Sequence, residues 1–388
     1  MKNVLEIINL PSSAINFIGG QFKYLHDEGG YRMHLICSPG GGIKEFCEAN
    51  GVCYHPVQLD RQLSLIQDVK SLLSICRYIR REKIDVVIAH QPKGRLLGML
   101  ACVIMRVRYR VIFSHGVLYE TMTGLKRQLI MFYEKFVSSI ADRVVCVSKY
   151  VQEKRLDDHI DKPGKQLVLG RGSCNGIDTL KKFNPSEVSY QAIQRLRETY
   201  KIGDNDFIIG FCGRLVRDKG VVELIEAFQQ IIDENKNKSI KLLIVGLLEK
   251  RDSLPMETID FITGNSNIIF TGSIPYEDIQ QIYMLMNVLV LPTHREGFGM
   301  VAIEASAMER PVIVSNYTGC AETIIDGETG LYIDKSPASI KAAIEKCFDS
   351  DFSRKLGVNG RKFVMTNFEH TKVRKNMLDF LNSFCKEV

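Results

Sequence analysis

Short apolar runs alternate with stretches of helical periodicity along the whole 388-residue chain, and no other feature restricts its fold as much. Parallel strands covered by helices on both faces read as near-continuous Val/Ile/Leu runs, whereas half-exposed strands alternate apolar with polar residues. In the first half the runs fall at residues 4–8, 33–37, 52–57, 85–89, 111–114, 144–147 and 166–169, with long helical patterns at 63–81 and 125–140. After the polar stretch 157–165 a second series follows, at 207–212, 241–245, 268–270, 288–291, 312–314 and 331–333. The pattern predicts an α/β protein of two doubly wound parallel sheets. Length agrees, because a single core stops growing at roughly 250–300 residues. The turn Asn175-Gly176-Ile177-Asp178 opens the second series, giving domains at 1–174 and 175–366. Helical patterns at 337–348, 352–366 and 369–384 have no strand left to serve, so the segment 367–388 is free to cover another surface or to cross back to the first domain.

Composition narrows the class. The 11 cysteines are scattered through apolar segments with no C-x-x-C spacing, as expected of reduced core residues in a cytosolic protein rather than of disulfides or a zinc site. Glu6 and Asn9 interrupt the apolar start, which reads as a first strand rather than a signal sequence. No apolar run reaches the roughly 18 residues of a membrane span, so any membrane contact is expected to be peripheral. Charge is shared unevenly: residues 1–174 carry 25 Lys and Arg against 16 Asp and Glu, and the excess is concentrated between Arg61 and Arg110. Apolar residues are interleaved there, at 96–105, and again at 126–132. Basic amphipathic helices of this kind lie on anionic lipid, or are ordinary helices with a core face and a solvated positive face. Nucleic acid is not an expected partner, since no recognition motif accompanies the charge.

The chemistry sits in loops. The segment Pro292 to Ala305 reads strand end, glycine-rich loop, then helix, with Glu296 in the loop and Glu304 on the helix. Loops at the carboxyl ends of parallel strands are where ligands bind, and the helix start between the two glutamates suits a phosphate. A glutamate on a helix is otherwise ordinarily solvated. Gly213-Arg214-Leu215-Val216-Arg217-Asp218-Lys219-Gly220 places two cations, Arg214 and Lys219, in one strand-to-helix loop, an anion site able to hold a diphosphate or merely a charged surface loop. The first strand runs into a segment ending in Gly19 and Gly20, where backbone can approach a ligand closely; it matches neither G-x-G-x-x-G nor the P-loop pattern. His90 and His115 each end a predicted strand, on the same rim as Gly19; of the two, His115, followed by glycine and a polar loop, is the better functional candidate. Asp204-Asn205-Asp206 and Asp349-Ser350-Asp351 precede a strand and join helices, so they read as turn or cap residues, and no metal is expected.

Taken together, these segments resemble the retaining glycosyltransferases of family four, which have the GT-B fold, of the type that builds bacterial surface polysaccharide. The resemblance covers nearly the whole chain. It rests on G-R-L-x-x-x-K-G at Gly213 to Gly220, E-x7-E at Glu296 and Glu304, N-G-I-D at Asn175 to Asp178, the pair Gly19 and Gly20, and A-E-T-I-I-D-G-E-T-G-L at Ala321 to Leu331. It implies two Rossmann-like domains facing across a cleft, the first for the acceptor and the second for a nucleotide sugar. It also implies roles. Arg214 and Lys219 neutralise the diphosphate leaving group beside Gly213. Glu296, with the backbone at Gly297, Phe298 and Gly299, holds the transferred sugar; Met300 and Val301 lie where backbone meets phosphate. Glu304 accepts from the ribose, His115 lies near the anomeric carbon and donor phosphate, and the Gly19–Gly20 loop approaches the same phosphates.

The expected reaction is metal-independent transfer of a hexose or N-acetylhexosamine, with retention, from a nucleotide-diphosphate sugar to a lipid-linked or glycan acceptor. UDP is the family's commonest carrier. The loop Gly319-Cys320-Ala321-Glu322 departs from the family pattern, where a second glycine is frequent, and the loop 246–252 is positioned to meet the base without revealing which. Two alternatives stand beside this reading: a non-catalytic nucleotide-sugar-binding regulator, against which the intact Arg214, Lys219 and Glu296 argue, and a GT-B nucleotide-sugar 2-epimerase, a class without E-x7-E.

Overall fold

The computed structural model describes residues 2–60, 62, 64–249 and 252–386. The chain forms two α/β units, one of Met1–Gly176 with His370–Val388 and the other of Ile177–Glu369. The first holds strands β1 (Asn3–Ile7), β2 (Arg32–Cys37), β3 (Cys53–Pro56), β4 (Val86–Ala89), β5 (Tyr109–Ser114), β6 (Arg143–Cys146) and β7 (Gln166–Val168) in a 7-stranded sheet of order β3-β2-β1-β4-β5-β6-β7. The second holds β8 (Phe207–Cys212), β9 (Ile240–Val245), β10 (Ile268–Gly272), β11 (Val288–Leu291), β12 (Val312–Ser315) and β13 (Leu331–Ile333), ordered β10-β9-β8-β11-β12-β13. All pairings are parallel, with Ile7 of β1 flanked by Ile36 and Ala89. Each predicted run is thus a strand, with ends shifted by a residue or two, as fraying allows.

The cores follow from that topology. In the second unit Ile209, Phe211, Leu242, Ile244, Val290 and Ile313 of the sheet pack with Leu224, Phe228 and Ile231 of the helix Val221–Glu234 in one buried cluster. The cysteines behave as small apolar residues: all are free, and all but Cys53 and Cys212 are buried. Asp349 caps the helix Ser350–Phe368 by accepting from the backbone N–H groups of Asp351 and Phe352, and Asp206 pairs with Lys241 at 2.6 Å.

The last helix, His370–Phe384, belongs to the first unit. The Tyr31 hydroxyl donates to Asn382 Oδ1 at 2.8 Å, and Lys2 Nζ and the Tyr109 hydroxyl both donate to the Cys385 carbonyl, at 2.8 and 2.9 Å. Gly20 answers to the same helix, since a Cβ there would stand 2.8 Å from the Arg374 guanidinium. The segment leading from the first strand to Gly19 and Gly20 is itself helical: Pro11–Ser13 forms a helical turn and Ala14–Ile18 a π-helical turn.

The basic stretch of the first unit is corrected in part. Lys93 and Arg95 do not belong to a solvated face: both are buried on the helix Pro92–Met105, where Lys93 pairs with Asp68 at 2.7 Å and Arg95 with Glu134 at 2.6 Å. Arg110 pairs with Asp142 at 2.6 Å. Glu134 also accepts from Arg155 at 2.7 Å, and Arg155, about 1% exposed, reaches Asp161 at 2.7 Å. These groups pin Pro92–Met105, Gly124–Ile140 and Lys149–Asp157 to one another. A buried charge is tolerated only with partners in good geometry, and removing one partner typically costs about 3–5 kcal/mol.

Glu134→Gln is therefore expected to destabilise the protein by about 3 kcal/mol in urea unfolding. Burial alone raises the Glu134 pKa, but Arg95 and Arg155 outweigh it and lower it overall from the ordinary 4.5. On acidification the unfolded chain takes up that proton first. The wild type should thus lose stability as pH falls below about 4.5, with a shallower loss in Glu134→Gln.

Candidate functional site

In each sheet the strand order reverses once, between β1 and β4 in the first unit and between β8 and β11 in the second. Connections leaving such neighbours go to opposite faces of the sheet and part, opening a crevice at the carboxyl edge where ligands bind. The candidate residues of the second unit all lie in the loops leaving β8 and β11 or on the helix Met300–Ala307 that follows.

Those two loops are stitched together. The Asp218 carbonyl accepts from the Thr293 hydroxyl at 3.1 Å and the His294 N–H at 2.8 Å, and Arg295 pairs with the Asp218 carboxylate at 2.5 Å. Gly220 permits the contact: its φ is +68°, and a Cβ there would stand 2.0 Å from the Pro292 carbonyl oxygen. Held this way, Lys219 Nζ lies 2.6 Å from Glu296 Oε2. Burial pulls the Lys219 pKa down, but the adjoining Glu296 carboxylate and its hydrogen bond raise it by more, so the ammonium keeps its charge. Arg214 is exposed and pairs with Glu249 of the loop after β9 at 3.2 Å; Lys250 and Arg251 of that loop lie outside the described residues.

Gly213, Arg214, Lys219, Glu296, Gly299, Met300 and Val301 border one cavity of about 200 Å³, together with Thr293 and Cys320. The departure at Gly319-Cys320 forms part of its wall. The Gly319 N–H donates to the Glu296 carbonyl at 3.0 Å, and Cys320 Sγ occupies the space beside Gly299, 2.6 Å from where a Cβ would stand. Gly299 has φ +93° and starts the helix Met300–Ala307. Phe298 is buried with its ring edge-on to Phe368, 5.2 Å between centroids, which leaves its backbone for the site.

Glu304 is not a solvated helix glutamate. It is 6% exposed, and its carboxylate accepts from the Tyr283 hydroxyl at 2.7 Å and the Tyr276 hydroxyl at 3.2 Å. Burial lifts its pKa to about 7 against the pull of Tyr283, Lys182 and Tyr276. Lys182 Nζ stands 3.0 Å from the centroid of the Tyr276 ring. No pattern in the sequence announces these partners, which are 28 and 21 residues from Glu304 in the case of the tyrosines.

In the first unit the crevice between β1 and β4 is bounded by Asn9 and Gln91. The Gln91 side chain accepts from the Asn9 N–H at 2.9 Å and donates to Ser13 Oγ at 2.8 Å, and Gln91 itself has φ +57° and ψ 158°, a strained conformation for a residue with a side chain. Gly19, with φ +50°, closes the π-helical turn, and Phe17 of that turn stacks on His115 at 5.7 Å. His90 and His115, read separately from the sequence, are bonded to each other: His90 Nδ1 lies 2.8 Å from His115 Nε2. Behind them His90 Nε2 meets Glu6 Oε2 at 2.5 Å. Glu6 was legible as an anomaly, a carboxylate interrupting a strand buried on both faces, although nothing local named its partner.

Comparison with known proteins agrees with this architecture. The family model described as glycosyl transferases group 1 matches residues 192–363, and the glycosyl transferase 4-like domain matches residues 19–171. The capsular polysaccharide biosynthesis glycosyltransferase CapM of Staphylococcus aureus is 34% identical over 100% of this chain and 99% of its own length. The UDP-Gal:alpha-D-GlcNAc-diphosphoundecaprenol alpha-1,3-galactosyltransferase of Escherichia coli is 27% identical over 77% of this chain and 75% of its own. Among solved structures, Anabaena HepE in complex with UDP and glucose superposes with a TM-score of 0.81 at 19% identity, covering 99% of this chain and 100% of its own. With CapM 34% identical along the full length of the chain and a family model on each unit, the chain belongs to the family-four glycosyltransferases of the GT-B fold.

Proposed function

We propose that the protein transfers a sugar from a UDP-sugar to a lipid-linked or glycan acceptor in capsular or related surface-polysaccharide synthesis, with retention and without a metal. The observation that carries this reading is the Lys219–Glu296 pair, 2.6 Å apart in the crevice between β8 and β11. A cation and a carboxylate fixed side by side suit a ligand with an anionic diphosphate next to sugar hydroxyls. As the glycosidic bond breaks, negative charge grows on the departing phosphate, and fixed cationic donors stabilise it where other enzymes use a metal. Lys219 and Arg214 take that role, with Gly213, Met300 and Val301 giving backbone to the phosphates. Glu296 and the backbone of Gly297, Phe298 and Gly299 hold the sugar, and Glu304, whose oxygens keep lone pairs beyond the tyrosine bonds, accepts from the ribose. His115 and the Gly19–Gly20 segment are assigned to the same donor. For retention we favour same-face attack, the leaving phosphate taking the acceptor's proton. UDP is favoured by the Escherichia coli relative, which is named for a UDP-sugar and a diphosphoundecaprenol acceptor, and by HepE, solved with UDP.

A membrane-facing role for the first unit is supported by two helices. No helix among the described residues is long and apolar enough to cross a membrane. On Gly124–Ile140, however, Leu125, Leu129, Phe132 and Phe136 are all exposed, Phe132 by 71%, in steps of four, three and four residues that form a single stripe. Lys126 and Lys135 flank it, and its exposed face carries no acidic residue. On Leu65–Glu82, Ile66, Val69 and Leu73 are likewise exposed, continuing into Arg77. Apolar stripes turned outward beside basic groups suit an anionic bilayer surface.

Three outcomes are expected. In a panel of UDP-, GDP- and ADP-sugars, slow release of UDP that EDTA does not alter identifies the donor class; binding of a donor with no turnover, with or without acceptor, would bring the regulator reading forward. Lys219→Ala and Glu296→Ala should each lose about 100-fold or more in kcat while keeping the far-ultraviolet circular dichroism of the wild type, and wild-type rates in both would refute the site. The protein should float with anionic vesicles at low salt, and Leu129→Ser with Phe132→Ser should weaken that binding roughly tenfold or more. Absence of vesicle binding, with equal activity on lipid-free acceptors, would remove the lipid part of the proposal.

A further inference from the structure

His115 ends a row of three ionisable groups that reaches into the interior of the first unit. Glu6, in the middle of β1, is fully buried; His90 follows β4 and is 1% exposed. Glu6 Oε2 lies 2.5 Å from His90 Nε2, and His90 Nδ1 lies 2.8 Å from His115 Nε2. Phe113 stacks on both rings, 5.3 Å from His90 and 5.0 Å from His115, and Phe17 adds a face to His115, so neither imidazole is free to turn over. Of the four ring nitrogens, His115 Nδ1 alone stands outside the row.

A neutral imidazole has one N–H and one lone pair, so, with any Glu6 proton held at the bonded Oε2 rather than at the partnerless Oε1, the row has only two ways to make both bonds. With Glu6 ionised, its oxygen accepts from His90 Nε2–H, His90 Nδ1 accepts from His115 Nε2–H, and His115 Nδ1 is a lone pair. With Glu6 protonated at Oε2, that O–H donates to His90 Nε2, His90 Nδ1–H donates to His115 Nε2, and His115 Nδ1 bears the proton. A phosphate oxygen or a sugar oxygen that needs a donor can be met only in the second state. The other Glu6 oxygen, Oε1, is buried without a hydrogen-bond partner, an arrangement far costlier for a carboxylate than for a carboxylic acid.

We propose that Glu6 is a positioning residue that acts through His90: its proton sets the tautomer of His115 and thereby makes His115 Nδ1 a hydrogen-bond donor toward the substrate. The substrate-facing part rests on the assignment of His115 to the donor sugar made above. The titration is consistent with it. Burial pushes the Glu6 carboxyl up to about 8, while burial, then Arg95, pulls His90 down to about 3, and burial, then His90 and Arg95, pulls His115 well below its ordinary value. Both rings are then neutral near pH 7 with Glu6 protonated. The ladder neighbours of Glu6 are Leu35 and Ile88; His90 bonds it, the Cys174 thiol from beyond β7 is raised by burial and then by its charge, and Arg95, which Glu134 already holds, acts on the two imidazoles. Raising the pH through about 8 removes the Glu6 proton and turns the His115 donor into a lone pair.

The test is the pH dependence of the ring-nitrogen shifts in full-length protein labelled with nitrogen-15 histidine, from pH 6.5 to 9.5, with His115 assigned by its loss in His115→Ala. The wild type should show His90 and His115 protonated at Nδ1 at the acid end and both switching together to Nε2 at the alkaline end. Glu6→Gln, which keeps the shape and removes the titration, should show no pH-dependent exchange of tautomers. An unchanged His115 tautomer in the wild type, or the same switch in Glu6→Gln, overturns the proposal. Above the switch, wild-type kcat/KM should fall about tenfold per pH unit and that of Glu6→Gln should stay flat. A tautomer switch without that fall would uphold Glu6 as the control of His115 and reject His115 as a donor-site residue, so the two readings fail separately.

Discussion

Parallel strands cannot be joined by tight turns, and the rest of this molecule depends on that constraint. Each strand must be followed by a crossover, which sends all the strand-to-helix loops of a sheet to one edge. Where the winding direction changes, two neighbouring loops part, and in both units the polar residues of interest stand at that change: Glu6, His90 and Gln91 at β1 and β4, Lys219 and Glu296 at β8 and β11. Glu6 excepted, which stands within β1, the chemistry is therefore carried by segments beyond the strand ends, while the strands beneath them are otherwise largely apolar.

Electrostatics fixes the detail. Charges drawn in from solvent occur here in matched sets: the buried Arg95 and Arg155 share Glu134, with Asp161 completing the second arginine, and the half-buried Lys219 is answered by Glu296. The first set is buried and holds three helices together. The second borders a cavity, and its members keep donor and acceptor capacity beyond each other, since an ammonium has three protons and a carboxylate about four lone-pair sites. Similar pairs thus have different uses according to whether the fold leaves open space beside them.

Much of the fold was legible before any coordinates. A run such as Val288 to Leu291 is apolar at every position because both its faces are covered, and the periodicity of Leu125 to Ile140 is that of one helix. The loop motifs were legible for the same reason, since they begin where an apolar run stops. Basic character misled where it was counted by residue: Lys93 and Arg95 add to the positive total of the first half yet lie inside it. The stripe on Gly124–Ile140 could be read in the sequence as lipid-facing or as core-facing, because periodicity gives the width of an apolar face but not what covers it; the structure turns it outward.

The sequence by itself determined the order and type of the elements, the division into two sheets, and the loops in which Arg214, Lys219, Glu296 and His115 stand. These are consequences of contact with water or its absence, a local property repeated every two or 3.6 residues. Only the tertiary structure decided the partners: Glu6 with His90 across 84 residues, Lys219 with Glu296 across 77, and Glu304 with Tyr283 across 21. A charge's partner, its burial and its proton are set by which segments meet at the sheet edge. That depends on strand order and crossover direction, and no short stretch of sequence contains either.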